Sequence, residues 1–155
     1  MEKAEKMETL GLGLGWRDMP VGRKFRTVGR TITESDLVNF ISATGMLEVL
    51  FTNVTYQEVI KGRLVPGALV YSFAEGLLIQ ATMQSVGLAF LDMELTMKGP
   101  TRVGDTIHVE VEVIESRPSK SRPGLALVRT RNQVVRQDGG VALEYTPLRM
   151  LKEHA

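Results

Sequence analysis

The chain has no cysteine, two histidines and a single tryptophan in 155 residues. Without cysteine there is no disulfide framework, no thiolate nucleophile and no thiolate metal site. That composition is compatible with a reducing cytoplasm, the expected location. The two histidines, His108 and His154, have no neighbouring ligand set, so no metal site and no cofactor are expected. Charge of one sign is also missing: 19 basic and 18 acidic side chains leave a net charge of +1. A general nucleic-acid binder would show a strongly basic face. The most apolar stretch, Gly67 to Leu78, is interrupted by Ser72 and Glu75 and does not read as a membrane span. The opening MEKAEKMETLG is charged and lacks the apolar run of a secretory signal.

What is present suits a soluble globular domain: 43% of residues are hydrophobic and 24% charged. The length fits one domain able to bury a core without staples. Residues 1–15, ending in GLGLG, are expected to form a flexible arm, and residues 16–155 a single domain. The glycines precede Trp16, Arg17, Asp18, Met19 and Pro20, whereas a dinucleotide fingerprint follows a strand and opens a helix.

KFRTVGRTI (24–32) reads as a strand. A helix follows, with Thr33 as N-cap, Glu34 and Asp36 in the first turn where the dipole favours them, and Gly45 as its stop. Leu37, Phe40 and Ile41 repeat at helical spacing. Residues 45–65 are irregular, with one turn of helix expected around YQEVIKG. Residues 66–86 carry a wide apolar stripe, Leu69, Val70, Phe73, Leu77, Leu78 and Ala81, and a single ionisable residue, Glu75. Such a helix is buried on most sides, and 21 residues would span ~30 Å. The period then changes from helical to alternating. LAFLDMELTMK, TIHVEVEVIES, LALVRTRNQVVRQ and VALEYTPLRMLK read as strands between turn segments. In TIHVEVEV, Ile107, Val109, Val111 and Val113 share one face, with His108, Glu110 and Glu112 on the other. Asp105, in VGDT, is expected to fix a turn. The sum is α+β, an antiparallel sheet curved around one long central helix.

Three stretches, VGRKFRTVGRTITESDLVNFISATG, VPGALVYSFAEGL and KGPTRVGDTIHVEVEV, in this order resemble the MaoC-like acyl-CoA dehydratases of the hot-dog fold, over about Trp16 to Lys152. The resemblance implies an acyl-CoA thioester bound in a tunnel at a subunit interface. It also implies (R)-specific enoyl-CoA hydratase/3-hydroxyacyl-CoA dehydratase-like chemistry, with coenzyme A entering as part of the substrate. Homodimers or larger assemblies are implied, without nucleic acid or membrane as partner. Gly67 sits where the family's oxyanion-hole amide lies, a position suited to developing enolate charge.

The family's loop after the first helix reads Gly-Asp-x-Asn-Pro-x-His, and its Asp and His form the acid/base pair. Here Gly45 matches the glycine, but Met46 stands for the Asp, Glu48 for the Asn, Val49 for the Pro and Phe51 for the His. Three readings stay open. Glu48 or Glu75 could serve as a relocated base once desolvated. Alternatively, Glu75 and the Gly67 amide could hydrolyse a thioester, since some hot-dog thioesterases place a helical acid eight residues after such a glycine. That spacing separates the two by more than ~10 Å along a helix. The third reading is a non-catalytic acyl-binding subunit, paired with an intact hot-dog subunit. Met46, Leu47, Phe51, Pro66, Tyr71 and Ser72 are the candidate acyl contacts. Lys61, Arg63, Arg117, Lys120 and Arg122 are candidate contacts to the phosphates of coenzyme A.

Overall fold

The computed structural model describes residues 7–56 and 59–155. Helix α1 (Glu34–Thr44) begins with a capping box: the Asp36 N–H donates to Thr33 Oγ1 at 3.2 Å, and the Thr33 N–H to Asp36 Oδ2 at 2.8 Å. It ends at Gly45, whose φ of 76° is the left-handed C-cap conformation. Leu37 and Ile41 are its buried residues. A short helix α2 (Val49–Thr52) follows, then the central helix α3 (Gly67–Leu78). No helix among the described residues is long and apolar enough to cross a membrane.

Among the described residues eight strands form one antiparallel sheet: β1 (Lys24–Arg26), β2 (Arg30–Thr31), β3 (Gly87–Asp92), β4 (Leu95–Met97), β5 (Thr106–Pro118), β6 (Leu125–Arg136), β7 (Val141–Tyr145) and β8 (Leu148–Lys152). The long β5 and β6 form its spine. β1 and β2 lie along the outer edge of β5, while β7 and β8 share the other edge of β6. β4 pairs with β7 and β3 with β8. The expected alternation on β5 holds, with Ile107, Val109, Val111 and Val113 buried. The first three of these meet Leu69, Val70, Ala74, Leu77 and Leu78 of α3, together with Val134, Leu143 and Tyr145. Each such large side chain contributes about 1.5–3 kcal/mol by leaving water, so the sheet-on-helix layer is the main source of stability.

Several expected elements are shorter or displaced. The strand expected over 24–32 is split at Thr27, whose hydroxyl accepts the Val109 N–H and thereby replaces a backbone partner. Strands 88–98 and 141–152 each break in the middle, the second at Thr146–Pro147, where proline cannot donate to a ladder. A helical turn lies at Val49–Thr52, while the turn expected around YQEVIKG includes residues 57 and 58, which are outside the described set. The central helix gives way after Leu78 to a wider π turn over Ile79–Met83. There the Thr82 hydroxyl bonds back to the Leu78 carbonyl at 2.8 Å. The Thr82 and Gln84 carbonyls accept from the Leu14 and Gly13 amides, both at 2.8 Å. Residues 13–15, within the stretch expected to be an arm, are thus packed down. A Cβ on Gly15 would lie 2.1 Å from the Glu153 carbonyl oxygen, so only glycine fits.

Candidate functional site

The entry to α3 is set by a short antiparallel bridge between Leu64 and Arg102. Within it the Val65 N–H donates to the Thr101 carbonyl at 3.0 Å and the Val103 N–H to the Arg63 carbonyl at 2.9 Å. Buried Pro66 then takes the N-cap position, and its carbonyl accepts from Leu69 and Val70. The Gly67 and Ala68 amides have no acceptor among the described residues, as at any helix start, and the helix dipole makes this end positive. A cavity of about 180 Å³ adjoins Gly67, lined by Val65, Gly67, Val70, Met97, Thr101 and Leu143 among others. A Cβ on Gly67 would fall 2.6 Å from Met97 Cε. The missing side chain therefore keeps the cavity open and lets Met97 lie over the helix start.

Two turns on, Glu75 is held on two sides. Arg149 Nη2 donates to both carboxylate oxygens, at 2.6 and 2.7 Å, and the Tyr145 hydroxyl donates to Oε1 at 2.6 Å. The Glu75 and Arg149 side chains are only 13% and 12% exposed. Burial, reinforced by the nearby Glu75 charge, pushes the Tyr145 hydroxyl well above the ordinary tyrosine range, so it stays a proton donor to that carboxylate. Tyr71 packs edge-on against Tyr145, with centroids 5.2 Å apart. Burial first, and the Glu75 charge second, raise its pKa too. Glu75 is thus ion-paired and hydrogen-bonded, and its partners come from β7 and β8 of the same chain. Ser72 is exposed and bonds back to the Ala68 carbonyl at 2.8 Å. Neither Tyr71 nor Ser72 lines the Gly67 cavity.

The loop after α1 places Met46 and Leu47 on the surface and half-buries Phe51 against the core. Glu48 caps α2, its carboxylate accepting the Leu50 N–H at 2.8 Å. Arg63 spends its guanidinium here: it grips the Glu34 carboxylate at 2.6–3.1 Å and donates to the Phe51 carbonyl. It therefore anchors the loop rather than presenting itself to a phosphate. The Lys61 carbonyl accepts from Arg102 Nε at 2.7 Å. Arg117 pairs with Glu115 at 2.7 Å, while Lys120 and Arg122 are exposed in the β5–β6 hairpin. That hairpin closes the end of the β5–β6 ribbon opposite Thr106, whose neighbour Asp105 bonds the Arg102 that holds the Lys61 carbonyl, and the 13 residues of β5 between them rise ~3.3 Å each. One subunit therefore does not bring the two sets of basic residues to a single ligand.

His108 bonds Glu110 at 3.1 Å on the outer sheet face, away from α3. Asp105 fixes its turn by accepting the Arg102 N–H at 2.8 Å. Among the described residues no cluster of three metal-ligating side chains occurs. Two site residues were invisible in the sequence. Thr101 sat inside a segment that reads as turn chemistry, and Arg149 lies 74 positions from its partner. The one available signal was the lone carboxylate on an apolar helix, which demands a partner without naming it.

No curated protein sequence matches the chain. Among solved structures, a MaoC-like dehydratase from Rhodospirillum rubrum superposes with a TM-score of 0.80 at 23% identity, over 92% of this chain and 99% of that one. An R-hydratase from Pseudomonas aeruginosa gives 0.78 at 23% identity, over 92% and 88%. A Mycobacterium tuberculosis protein with a double hot-dog fold gives 0.73 at 26% identity, over 90% of this chain and 44% of that one. The sheet wrapped around α3 is accordingly a hot-dog fold. A family model for the FAS1-like dehydratase domain region matches residues 20–144, and the chain belongs to that family.

Proposed function

We propose that this chain is a MaoC-like hydratase/dehydratase-type subunit that binds an acyl-CoA thioester with its carbonyl at the start of α3, without itself supplying the acid and base. The observation that carries this reading is the fate of the carboxylates. Glu75 is locked by Arg149 and Tyr145, Glu48 is an exposed helix cap, and positions 46 and 51 hold methionine and phenylalanine. A general base needs a free lone pair within reach of the proton it takes. For Glu75 to serve, in hydration or in hydrolysis, it would have to leave a buried ion pair.

The site is completed by a second hot-dog domain. β3 pairs with β8 along one edge and with no other strand among the described residues. All six of its residues are exposed, Leu88, Phe90 and Leu91 at 42–48%. An apolar edge strand of this kind is a template for pairing. The partner is a second copy or a hot-dog subunit that carries the acid/base pair.

The test is mass spectrometry of saturated and unsaturated acyl-CoAs incubated with pure protein, alongside calorimetric binding of the same set. Saturable binding with every thioester returned unchanged is the expected result. Water added to an enoyl-CoA would restore the hydratase reading, and release of free coenzyme A would make the chain a thioesterase.

A further inference from the structure

β4 ends at Met97, which is in register with Leu143 of β7. The next two amides, of Lys98 and Gly99, both donate to the Ala142 carbonyl, at 2.8 and 3.1 Å. The backbone is therefore fixed, while the unbranched side chain keeps its own rotations. That side chain lines the cavity at the start of α3. Its Sδ and Cε lie 3.0 and 2.6 Å from the point where a Cβ on Gly67 would stand. The residue is also 53% exposed, and it lies on β4, outside the β3 edge assigned above to a partner. A thioether is only a weak acceptor, so Met97 lies over the helix start without satisfying its amides.

We propose that Met97 is a modification site: oxidation of its sulfur to the sulfoxide closes the start of α3 to its ligand. The inference rests on the thioester-binding reading given above and adds a means of regulating it. The oxidant is a peroxide. One peroxide oxygen bonds to the sulfur, the O–O bond breaks, and the other oxygen departs as water with both protons. Sulfur is oxidised by two electrons and the peroxide reduced by two. The product is a polar side chain where an apolar one stood, and its oxygen seeks a donor. The side chains of Val65, Val70, Ala142 and Leu143 around it offer none. The unpaired amides at the helix start do, and the helix dipole favours a partly negative oxygen there. An oxygen held on those amides takes the place of the ligand's acceptor. Met7, Met46 and Met93 are exposed as well, at 89%, 38% and 37%, but none lines this cavity. Reduction of the sulfoxide by a reductase restores the thioether, so the closure is reversible.

The experiment treats the full-length protein with hydrogen peroxide in steps and follows each methionine by peptide mass spectrometry. Crotonoyl-CoA affinity is measured by calorimetry at each step. Affinity should fall about tenfold, the scale of the hydrogen bonds that the sulfoxide takes over, in step with oxygen uptake at Met97 and independently of uptake at Met7. Without any ligand, amide hydrogen exchange at Gly67 and Ala68 should slow on oxidation. In Met97→Leu, affinity and exchange should each be the same before and after peroxide, whatever their starting values. Met97→Gln places an acceptor oxygen at a similar reach and should slow the exchange without peroxide; it carries the test should the leucine variant fail to fold. If Met97 stayed unoxidised while Met7 converted, or was oxidised with affinity and exchange unmoved, the inference would be overturned and thioester binding left intact. Untreated wild type that does not bind crotonoyl-CoA would overturn the thioester reading itself, and this regulation of it.

Discussion

At its N-terminal end α3 offers two amides without acceptors, and an open cavity of about 180 Å³ adjoins Gly67. Two turns further on, the Glu75 carboxylate is saturated by an arginine and a tyrosine. The nearby Asn132 lines a void of only about 20 Å³, room for about one water. The same helix therefore has an end built to receive something and an end already closed. Polar groups that wait for a partner mark binding, whereas satisfied ones mark architecture. Glu75 looked like a catalytic candidate because of its spacing from Gly67, and the contrast assigns it to the closed end.

The largest effect should come from opening the closed end. Glu75→Ala leaves the Arg149 guanidinium, 12% exposed, without its carboxylate. Removing one partner of a buried pair costs on the order of 3–5 kcal/mol, and the low but real exposure here puts the expectation at about 3. Urea unfolding should show it as a lowered midpoint at unchanged slope. The double variant Glu75→Leu/Arg149→Leu should recover most of the loss, because no buried charge then remains. A Glu75→Ala midpoint equal to wild type would mean that the pair contributes nothing and that Glu75 is free for other work.

Altering the open end should move binding and spare stability. Gly67→Ala places a methyl in the cavity, 2.6 Å from Met97 Cε. The Met97 side chain is flexible and its residue 53% exposed, so it can swing aside. Alanine also favours the helix by up to about 1 kcal/mol over glycine. Crotonoyl-CoA affinity should fall at least about tenfold, or 1.4 kcal/mol, with a melting temperature close to wild type. Loss of both together would show that Gly67 serves packing alone.

The acid limb of stability should report the α1 end of the loop. The Arg63 hydrogen bonds, then its charge, hold the Glu34 carboxyl below its ordinary 4.5 despite some burial. For Asp36, burial pushes upward but is outweighed by Thr33 and Arg30, so its pKa is also depressed. Both groups bind fewer protons folded than unfolded at the same pH. Their contribution is present above about 4.5 and is lost as pH falls through the folded values. Glu34→Gln should therefore lower the melting temperature slightly at pH 7, where the contribution is present, and flatten the decline below pH 4.5, where wild type loses it. An acid limb identical to wild type would remove Arg63–Glu34 from the forces that hold the loop.

Local chemistry was legible in the sequence where it acts within a few residues. The Thr33 N-cap, the Gly45 stop, the β5 alternation and the proline-glycine entry to α3 could all be read from spacing. Interactions that depend on distant chain segments could not. Nothing near Glu75 names Arg149, and nothing near Thr101 shows that Val65 will pair with it and bring it beside Gly67. The π turn at Ile79–Met83 coincides with carbonyls taken up by Gly13 and Leu14, a contact made across some 70 positions. Thr27 reads as one more β-former, yet its hydroxyl interrupts the strand. Fold was therefore clearer than site: an antiparallel sheet around one long helix follows from periodicity, whereas a site is assembled from residues that periodicity treats as filler.

The smallest expected effect tests whether the loop after α1 is only structural. Glu48 accepts the Leu50 N–H at 2.8 Å, and its own carbonyl accepts from Phe51 and Thr52, so its side chain and its backbone both start α2. Its carboxylate is exposed and points at no cavity lining residue set. Glu48→Ala should cost about 1 kcal/mol, the usual loss for an N-cap, and Glu48→Asp, itself a good cap, should cost less. Crotonoyl-CoA affinity should be the same in both variants as in wild type. If affinity instead fell in step with loss of the charge while the unfolding midpoint held, the loop would belong to the open end of the site, and the boundary between receiving and closed regions would have to be redrawn to include it.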